Sequence, residues 1–355
     1  MGENRENAGK DIYGGGSLKI LLVGDFSENY DEGLKNIAKY FDEHLCRKNN
    51  VKRINVKKLI SNETYSTITS FDPDVIHYFT APTCSSFALL KFLSIRWPHG
   101  KTIISALRPQ TSLLSKSSIL RRVLGFFAKA DVMLYQDNPD NLIDLSSKLI
   151  YLPNGVDTNK FKPVTAEGKV QLRIKYNIDE NKYVLTHVGH LFQRRNLEAL
   201  IELQKQNPCY QVVIVAGTYI ARDTDLLEKL RQSGCTVITG YLEQVEDIYR
   251  LSDCYVFPVL WGNSISTPLS VLEAMACNLP VVSIDYPTLS VFSNSQGFYL
   301  VKTPQDIIHA VDMVHRESNN GGEVNTRLEV LPYSWENVVT KLENIYLRLL
   351  GGSYE

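Results

Sequence analysis

The sequence contains no C-x-x-C pair, no run of like charges, and no apolar stretch approaching the roughly 20 residues that cross a bilayer. Its six cysteines, Cys46, Cys84, Cys209, Cys235, Cys254 and Cys277, are scattered. Neither a zinc site nor a disulfide framework is therefore expected, and a reducing cytoplasm is the natural compartment. A formal net charge of −1 over 355 residues supplies no global attraction for nucleic acid. No carboxylate cluster with ligand spacing stands out, so no metal and no cofactor is expected. Asp72-Pro73-Asp74 superficially matches a metal-binding D-x-D, but it precedes its strand and reads as a turn. Residues 1–17 are polar and Gly-rich without the apolar core of a signal peptide, and are expected to form a disordered leader. Glu6 stands where a myristoylated terminus would carry Ser or Thr.

What is present is ordinary soluble composition, 44% hydrophobic and 22% charged, over a length that suits two α/β domains. From Leu18 onward, short β-rich runs (LKILLVG, INVKKL, DVIHYF, TIISAL, VMLYQ) alternate with amphipathic stretches near 32–46 and 86–95. This is the pattern of a parallel sheet wrapped by helices. LIYLPNGVDTNKFKP then brings a strand to a Pro-Asn-Gly turn, and the polar stretch through Gly168 reads as the crossing between domains. A second α/β unit follows, with strands YVLTHVG, QVVIVAG, CTVITG, CYVFPV, PVVSID and FYLV and helices near 196–206, 224–232, 245–251, 267–277 and 304–314. Apolar residues Val338, Leu342, Ile345, Tyr346 and Leu349 mark a final helix over 335–349 that packs across the domain junction. The expected division is 18–160, facing an acceptor; 161–333, binding a donor; and 334–355, the junction helix.

The most informative segment is 261–280, WGNSISTPLSVLEAMACNLP. Thr267 is a suitable N-cap, Pro268 suits the first helical position, and Asn278 with Pro280 marks the end. The loop through Ser266 and Thr267 then presents free backbone N–H groups with a helix dipole behind them, which favours an anion such as a diphosphate. Glu273 is the only acid on the helix and is placed to accept hydrogen bonds from sugar hydroxyls. A core helix with one stray Glu is the alternative.

Upstream, VGHLFQRRNLEAL places Gly189 at the carboxyl end of a strand, the edge where ligands of open α/β sheets collect. Arg195 follows, and its planar fork suits phosphate, at about 1.5–3 kcal/mol per charge-assisted bond; a solvated Arg pair is the alternative. His77, near the end of DVIHYF, is either a cleft-facing general base or a packed histidine. Arg108, at a strand end before Pro109, either donates to a leaving diphosphate or anionic acceptor or makes a loop salt bridge. Gly24, Asp25 and Gly33 border the cleft from the first domain. Residues 113–130, LLSKSSILRRVLGFFAKA, form a basic amphipathic stretch that either lies on an anionic membrane surface or covers the sheet with its basic face in water.

PNGVD, VGHLFQRRN, GYLEQVEDIYRLSDCYVFP and PLSVLEAMACNLPVV together resemble the retaining GT-B glycosyltransferases of family 4, and the resemblance spans nearly the whole chain after the leader. It implies two Rossmann-like domains facing each other across a cleft, with a C-terminal helix returning to the first. The implied activity is sugar transfer from a nucleotide-diphosphate sugar to a glycan, lipid-linked or small-molecule acceptor. The resemblance also implies that His190 and Arg195 hold the donor diphosphate, that Gly240, Tyr241 and Leu242 hold the base through main-chain contacts, and that Glu273 binds the ribose. His190 stands where the family has Arg. Ile265 replaces the family's first acid, which contacts the transferred sugar, and Arg108 stands where the family has a histidine facing the reacting sugar. The competing expectation is a pseudo-glycosyltransferase that binds nucleotide sugar as a sensor or partner subunit.

Overall fold

A computed structural model describes residues 17–26, 33–55, 62–80, 84–106, 130–136, 148–217, 223–260 and 267–351. The first half builds a six-stranded parallel sheet from β1 (Lys19–Gly24), β2 (Asn50–Asn55), β3 (Val75–Thr80), β4 (Lys101–Ala106), β5 (Val132–Tyr135) and β6 (Lys148–Tyr151), in the order β2-β1-β3-β4-β5-β6. The second half builds another from β7 (Tyr183–Gly189), β8 (Tyr210–Ala216), β9 (Thr236–Thr239), β10 (Cys254–Phe257), β11 (Val281–Ile284) and β12 (Phe298–Val301), in the order β12-β11-β10-β7-β8-β9. Helices α1 (Gly33–Leu45), α2 (Asn62–Phe71) and α3 (Cys84–Arg96) serve the first sheet. The second has α4 (Ala166–Lys175), α5 (Glu198–Gln206), α6 (Thr224–Gln232), α7 (Glu246–Leu251), α8 (Leu269–Ala276), α9 (Pro304–Asn319) and α10 (Thr326–Val330), and α11 (Trp335–Leu349) ends the chain.

Side-chain alternation along these strands feeds a core on each face. Ile20, Leu22, Val75, Phe79 and Ile103 pack with α1 and α11, whereas Leu21, Val23, Ile76, Tyr78 and Ile104 pack with α2 and α3. Strands buried on both faces account for the near-continuous apolar runs in the sequence. The second sheet repeats the arrangement, with α5, α6 and α9 on one face and α8 on the other.

The chain crosses between the halves at Asn154-Gly155-Val156 and returns at Ser334. The two crossings pair as an isolated parallel bridge, Val156↔Ser334, with Val156 N donating to Tyr333 O at 2.9 Å and Trp335 N donating to Val156 O at 3.2 Å. Helix α11 then buries Trp335, Val338, Val339, Leu342, Ile345 and Tyr346 in the first core.

Several elements depart from expectation. Strand β2 lies at Asn50–Asn55, not at 54–59, because the turn after α1 delivers the chain at once to β1: Asn50 N donates to Leu18 O at 2.9 Å and Leu18 N to Asn49 Oδ1 at 3.2 Å. The polar stretch after the crossing is helix α4. Its one buried residue is Arg173, so no apolar period announced it. Arg173 and Lys169 both reach Asp253 at 2.6 Å, and Asp253 also accepts from Val184 N. Helix α8 begins at Leu269, with Pro268 extended at the N-cap (φ −64°, ψ 121°) and no side-chain cap. Thr267 is therefore not the cap: the extended Pro268 starts the helix one residue later, and Thr267 is buried with its carbonyl taken by Asn154 and its hydroxyl without a partner among the described residues. Asp72-Pro73-Asp74 is a turn, with Asp72 at φ 49° and Asp74 accepting from Lys19 N at 2.8 Å.

A Cβ on Gly155 would fall on the six-membered ring of the fully buried Trp335. Gly155→Ala is expected to cost about 1–3 kcal/mol through overpacking, read as a lowered thermal midpoint. An unchanged midpoint would show that the indole yields freely and does not fix the crossing.

Candidate functional site

In each sheet the strand order reverses direction at one place, between β1 and β3 in the first and between β7 and β10 in the second. The crevice outside the carboxyl ends of the strands at such a switch point is where open α/β sheets take ligands. The residues singled out in the sequence fall largely at these two points.

Gly189 ends β7. A Cβ there would come to 3.0 Å from His187 Nε2, so any larger residue would press on the imidazole beneath it. His187 is core: it is fully buried, bonds Val256 O through Nδ1 at 3.0 Å, and is held down to about 4, chiefly by burial with Arg195 adding to it. Past Gly189, His190 stacks loosely on Phe192. The short turn Gln193–Arg195 then closes on Asn196 in the left-handed region (φ 56°, ψ 39°). Asn196 Nδ2 donates to Pro258 O at 3.1 Å, pinning the turn to the end of β10. The Arg195 guanidinium lies over the Phe192 ring at 5.4 Å. Burial lowers its proton affinity, although a guanidinium stays charged, so the shift measures the desolvation that an arriving anion would offset.

Tyr255 on β10 ties this turn to α8. Its hydroxyl donates to Val188 O at 3.5 Å, it shares a hydrogen bond with the Ser270 side chain, and it feels the charges of both Glu273 and Arg195. Glu273 is partly buried and accepts from Tyr249 Oη at 2.7 Å. Burial pushes its carboxyl up, against the lowering effects of the Tyr249 hydrogen bond and Lys160. Across the junction, the Tyr40 phenol of α1 is pushed up by burial and then by Glu273 and Asp157. Glu273 therefore sits where the two halves meet. Gly240 follows β9 at φ 121°, with open space where a Cβ would lie, and Tyr241 beside it is 66% exposed. Leu242 packs against the core beneath.

On the first half, Gly24 and Asp25 stand at the carboxyl end of β1, and Gly33 opens α1. Asp25 makes an ion pair with the buried Lys35 of α1 at 3.7 Å, so it ties the strand end to that helix. His77 is not a cleft base. It is fully buried on β3, with Nδ1 at 2.6 Å from Tyr346 Oη and Nε2 at 2.7 Å from Ser105 Oγ, and burial holds it down to about 3. Both nitrogens are engaged, Nδ1 fastening α11 to the sheet and Nε2 joining β3 to β4. Arg108, Ile265, Ser266 and all but the last residue of 113–130 lie outside the described residues. Sequence reasoning missed Tyr249, Tyr255 and Tyr40, which sit in ordinary apolar strand and helix patterns, and the side chain of Asn154, although its PNGVD setting was visible.

A cation and a carboxylate, both acting on Tyr255, thus converge near one switch point, an arrangement that can hold an anion joined to a polyhydroxyl group. Residues 169–327 match the family described as glycosyl transferases group 1. The UDP-Gal:alpha-D-GlcNAc-diphosphoundecaprenol alpha-1,3-galactosyltransferase of Escherichia coli is 25% identical over 268 residues, 70% of this chain and 66% of that protein. The alpha-galactosylglucosyldiacylglycerol synthase of Streptococcus pneumoniae is 24% identical over 183 residues, 48% of each. The matched regions thus span from about half to just under two thirds of these curated relatives. Among solved structures, a glycosyltransferase from Rickettsia africae superposes with a TM-score of 0.72 at 15% identity over 95% of this chain and all of that one. HepE of Anabaena in complex with UDP and glucose gives 0.72 at 13% identity over 92% and 99%. The chain has the GT-B fold, and its residues 169–327 match the glycosyl transferases group 1 family.

Proposed function

We propose that this protein transfers a sugar from a nucleotide-diphosphate sugar to a glycan or lipid-linked acceptor, with retention of configuration and without a metal. The observation that carries the reading is the meeting of Arg195 and Glu273 around Tyr255 at the β7/β10 switch point. The barrier to transfer is departure of the nucleoside diphosphate, and catalysis requires fixed positive charge and oriented donors where that negative charge grows. Arg195 and the amides entering α8 serve this role, Glu273 takes the ribose hydroxyls, and the Gly240–Leu242 strip takes the base. Arg108 adds charge from the first half. Closure of the halves excludes water from the reacting bond.

Lipid-linked acceptors are favoured because relatives are named for diphosphoundecaprenol and diacylglycerol substrates. Helix α3 also turns Phe92 (56% exposed) and Ile95 (69% exposed) outward beside Arg96. That exposed apolar and basic face suits the surface of an anionic membrane, as does the basic amphipathic composition of 113–130 in the sequence. Among the described residues no helix is long and apolar enough to cross one. Co-sedimentation with vesicles containing anionic lipid is expected to be salt-sensitive; equal recovery with neutral vesicles, or none at all, would remove the membrane from the reading.

Ile265, in place of an acid that relatives of the resembled family direct at the transferred sugar, favours a second reading as a nucleotide-sugar sensor. Titration with nucleoside diphosphates paired with a donor-turnover assay separates the two, since binding without turnover on any acceptor selects the sensor.

Arg195→Ala is expected to weaken nucleoside diphosphate binding by about tenfold or more, ~1.4 kcal/mol; a folded variant with unchanged affinity would place the diphosphate elsewhere. Glu273→Gln separates binding from stability. Burial disfavours the charged form of Glu273, so the fold is more stable when the group is protonated and less so as pH rises through its raised pKa. The variant is expected to melt above wild type at neutral pH, with the gap closing on acidification, while losing preference for ribose over deoxyribose nucleotides. A variant that melts lower, or keeps that preference, contradicts this role.

A further inference from the structure

The motif PNGVD supplies more than a turn between domains. Asn154 is fully buried in the crossing and its Nδ2 donates to Thr267 O at 2.8 Å, the last carbonyl but one before α8. A carbonyl can only accept, so the orientation of the Asn154 amide is settled: its NH2 faces Thr267 and its Oδ1 faces the other way. That oxygen is met by Gln136, at the carboxyl end of β5, and Gln136 must therefore donate through Nε2. Donation runs in one direction, from the first sheet through the crossing to the entrance of the α8 helix.

The two ends of this relay are incomplete. Gln136 Oε1 and Thr267 Oγ1 are both buried, and neither has a hydrogen-bond partner among the described residues. Gln136 is 5% exposed and Thr267 is 3% exposed. Buried polar atoms are seldom left so, and a junction selected for stability alone would be better served by apolar groups. Leu269, the first residue of α8, also packs on the core of the first half. The entrance to α8 is therefore held by the first half as much as by its own sheet.

We propose that Gln136 and Asn154 are positioning residues of the donor site, setting the main chain that enters α8 so that its amides meet the diphosphate. This inference rests on the donor-site reading above. Neither residue touches the donor; each acts through the Thr267 carbonyl. The directionality makes a specific demand at position 136. A residue that donates keeps Asn154 facing Thr267 correctly. One that only accepts draws the Asn154 NH2 to itself and leaves Oδ1 against the Thr267 carbonyl, two acceptors facing each other.

The test uses calorimetric titration with whichever of uridine, guanosine and adenosine diphosphate the wild-type chain binds best, and saturation-transfer NMR with the parent nucleoside. Gln136→Glu, at a pH where the new carboxyl is ionised, is expected to weaken the diphosphate by about tenfold and leave the nucleoside unchanged. Gln136→Met, which removes the donation without opposing it, is expected to show a smaller loss and remains readable should the first variant unfold. In an Asn154→Ala background, Gln136→Glu should add nothing, since the two act in series. Unchanged diphosphate affinity in Gln136→Glu, equal losses for diphosphate and nucleoside, or additive losses in the double variant would each overturn the relay. A wild-type chain that binds none of the three diphosphates would instead overturn the donor site itself.

Discussion

Everything about how the two halves address each other rests on one double crossing, in which the outgoing chain at Val156 and the returning chain at Ser334 run side by side as a parallel bridge. Trp335 fixes it. The indole stacks on Tyr40 with centroids 4.9 Å apart, meets Phe41 edge-on at 5.3 Å, and lies over Gly155, which has no side chain to keep it off. Two parallel segments sharing one aromatic anchor tie the halves together along that line. The switch points of both sheets are thereby kept facing the same gap.

Across that gap the electrostatics are those of a site kept partly dry. Arg195, Glu273 and Tyr40 are all displaced from their ordinary proton affinities with burial as the leading cause. A desolvated cation attracts an anion more strongly than a solvated one, and a desolvated carboxylate accepts hydroxyl hydrogen bonds more strongly, because no water competes. The cost of holding these groups falls on the apo fold. It is set against extensive cores, with strands buried on both faces, so the second half can carry such a site without losing its packing.

The parallel sheets, the return of α11 and the convergence near Gly189 and Glu273 were legible because apolar periodicity and the positions of glycine, proline and acid record them directly. Helix α4 was not, since its inward residue is Arg173 and the force that docks it is ionic. The cap of α8 was misplaced by one residue because Thr267 has the chemistry of a cap, and only the tertiary hydrogen bond from Asn154 shows that its backbone is otherwise engaged. The sequence leaves His77 open between a cleft base and a packed residue, because a histidine toward the end of a strand looks alike whether it faces a cleft or a helix. Its parity with Val75 and Phe79 turns it toward α11. The parity was readable; the identity of the element packed on that face was not, because its Tyr346 lies 269 residues away.

His77 and Asn154 are both fully buried polar side chains, and the contrast between them explains why one is read as architecture and the other as part of the site. The two ring nitrogens of His77 end on Tyr346 and Ser105, whose hydroxyls complete a closed network inside one core. Such a network rigidifies and asks for nothing further. The Asn154 amide belongs to a chain that starts in one half, ends in the other, and leaves an oxygen unmatched at each end among the described residues. Closed valence within a core costs little to keep. Open valence across a domain junction is a standing cost, and it is retained where the main chain it steers, here the two residues before α8, must be held in place by something other than its own sheet.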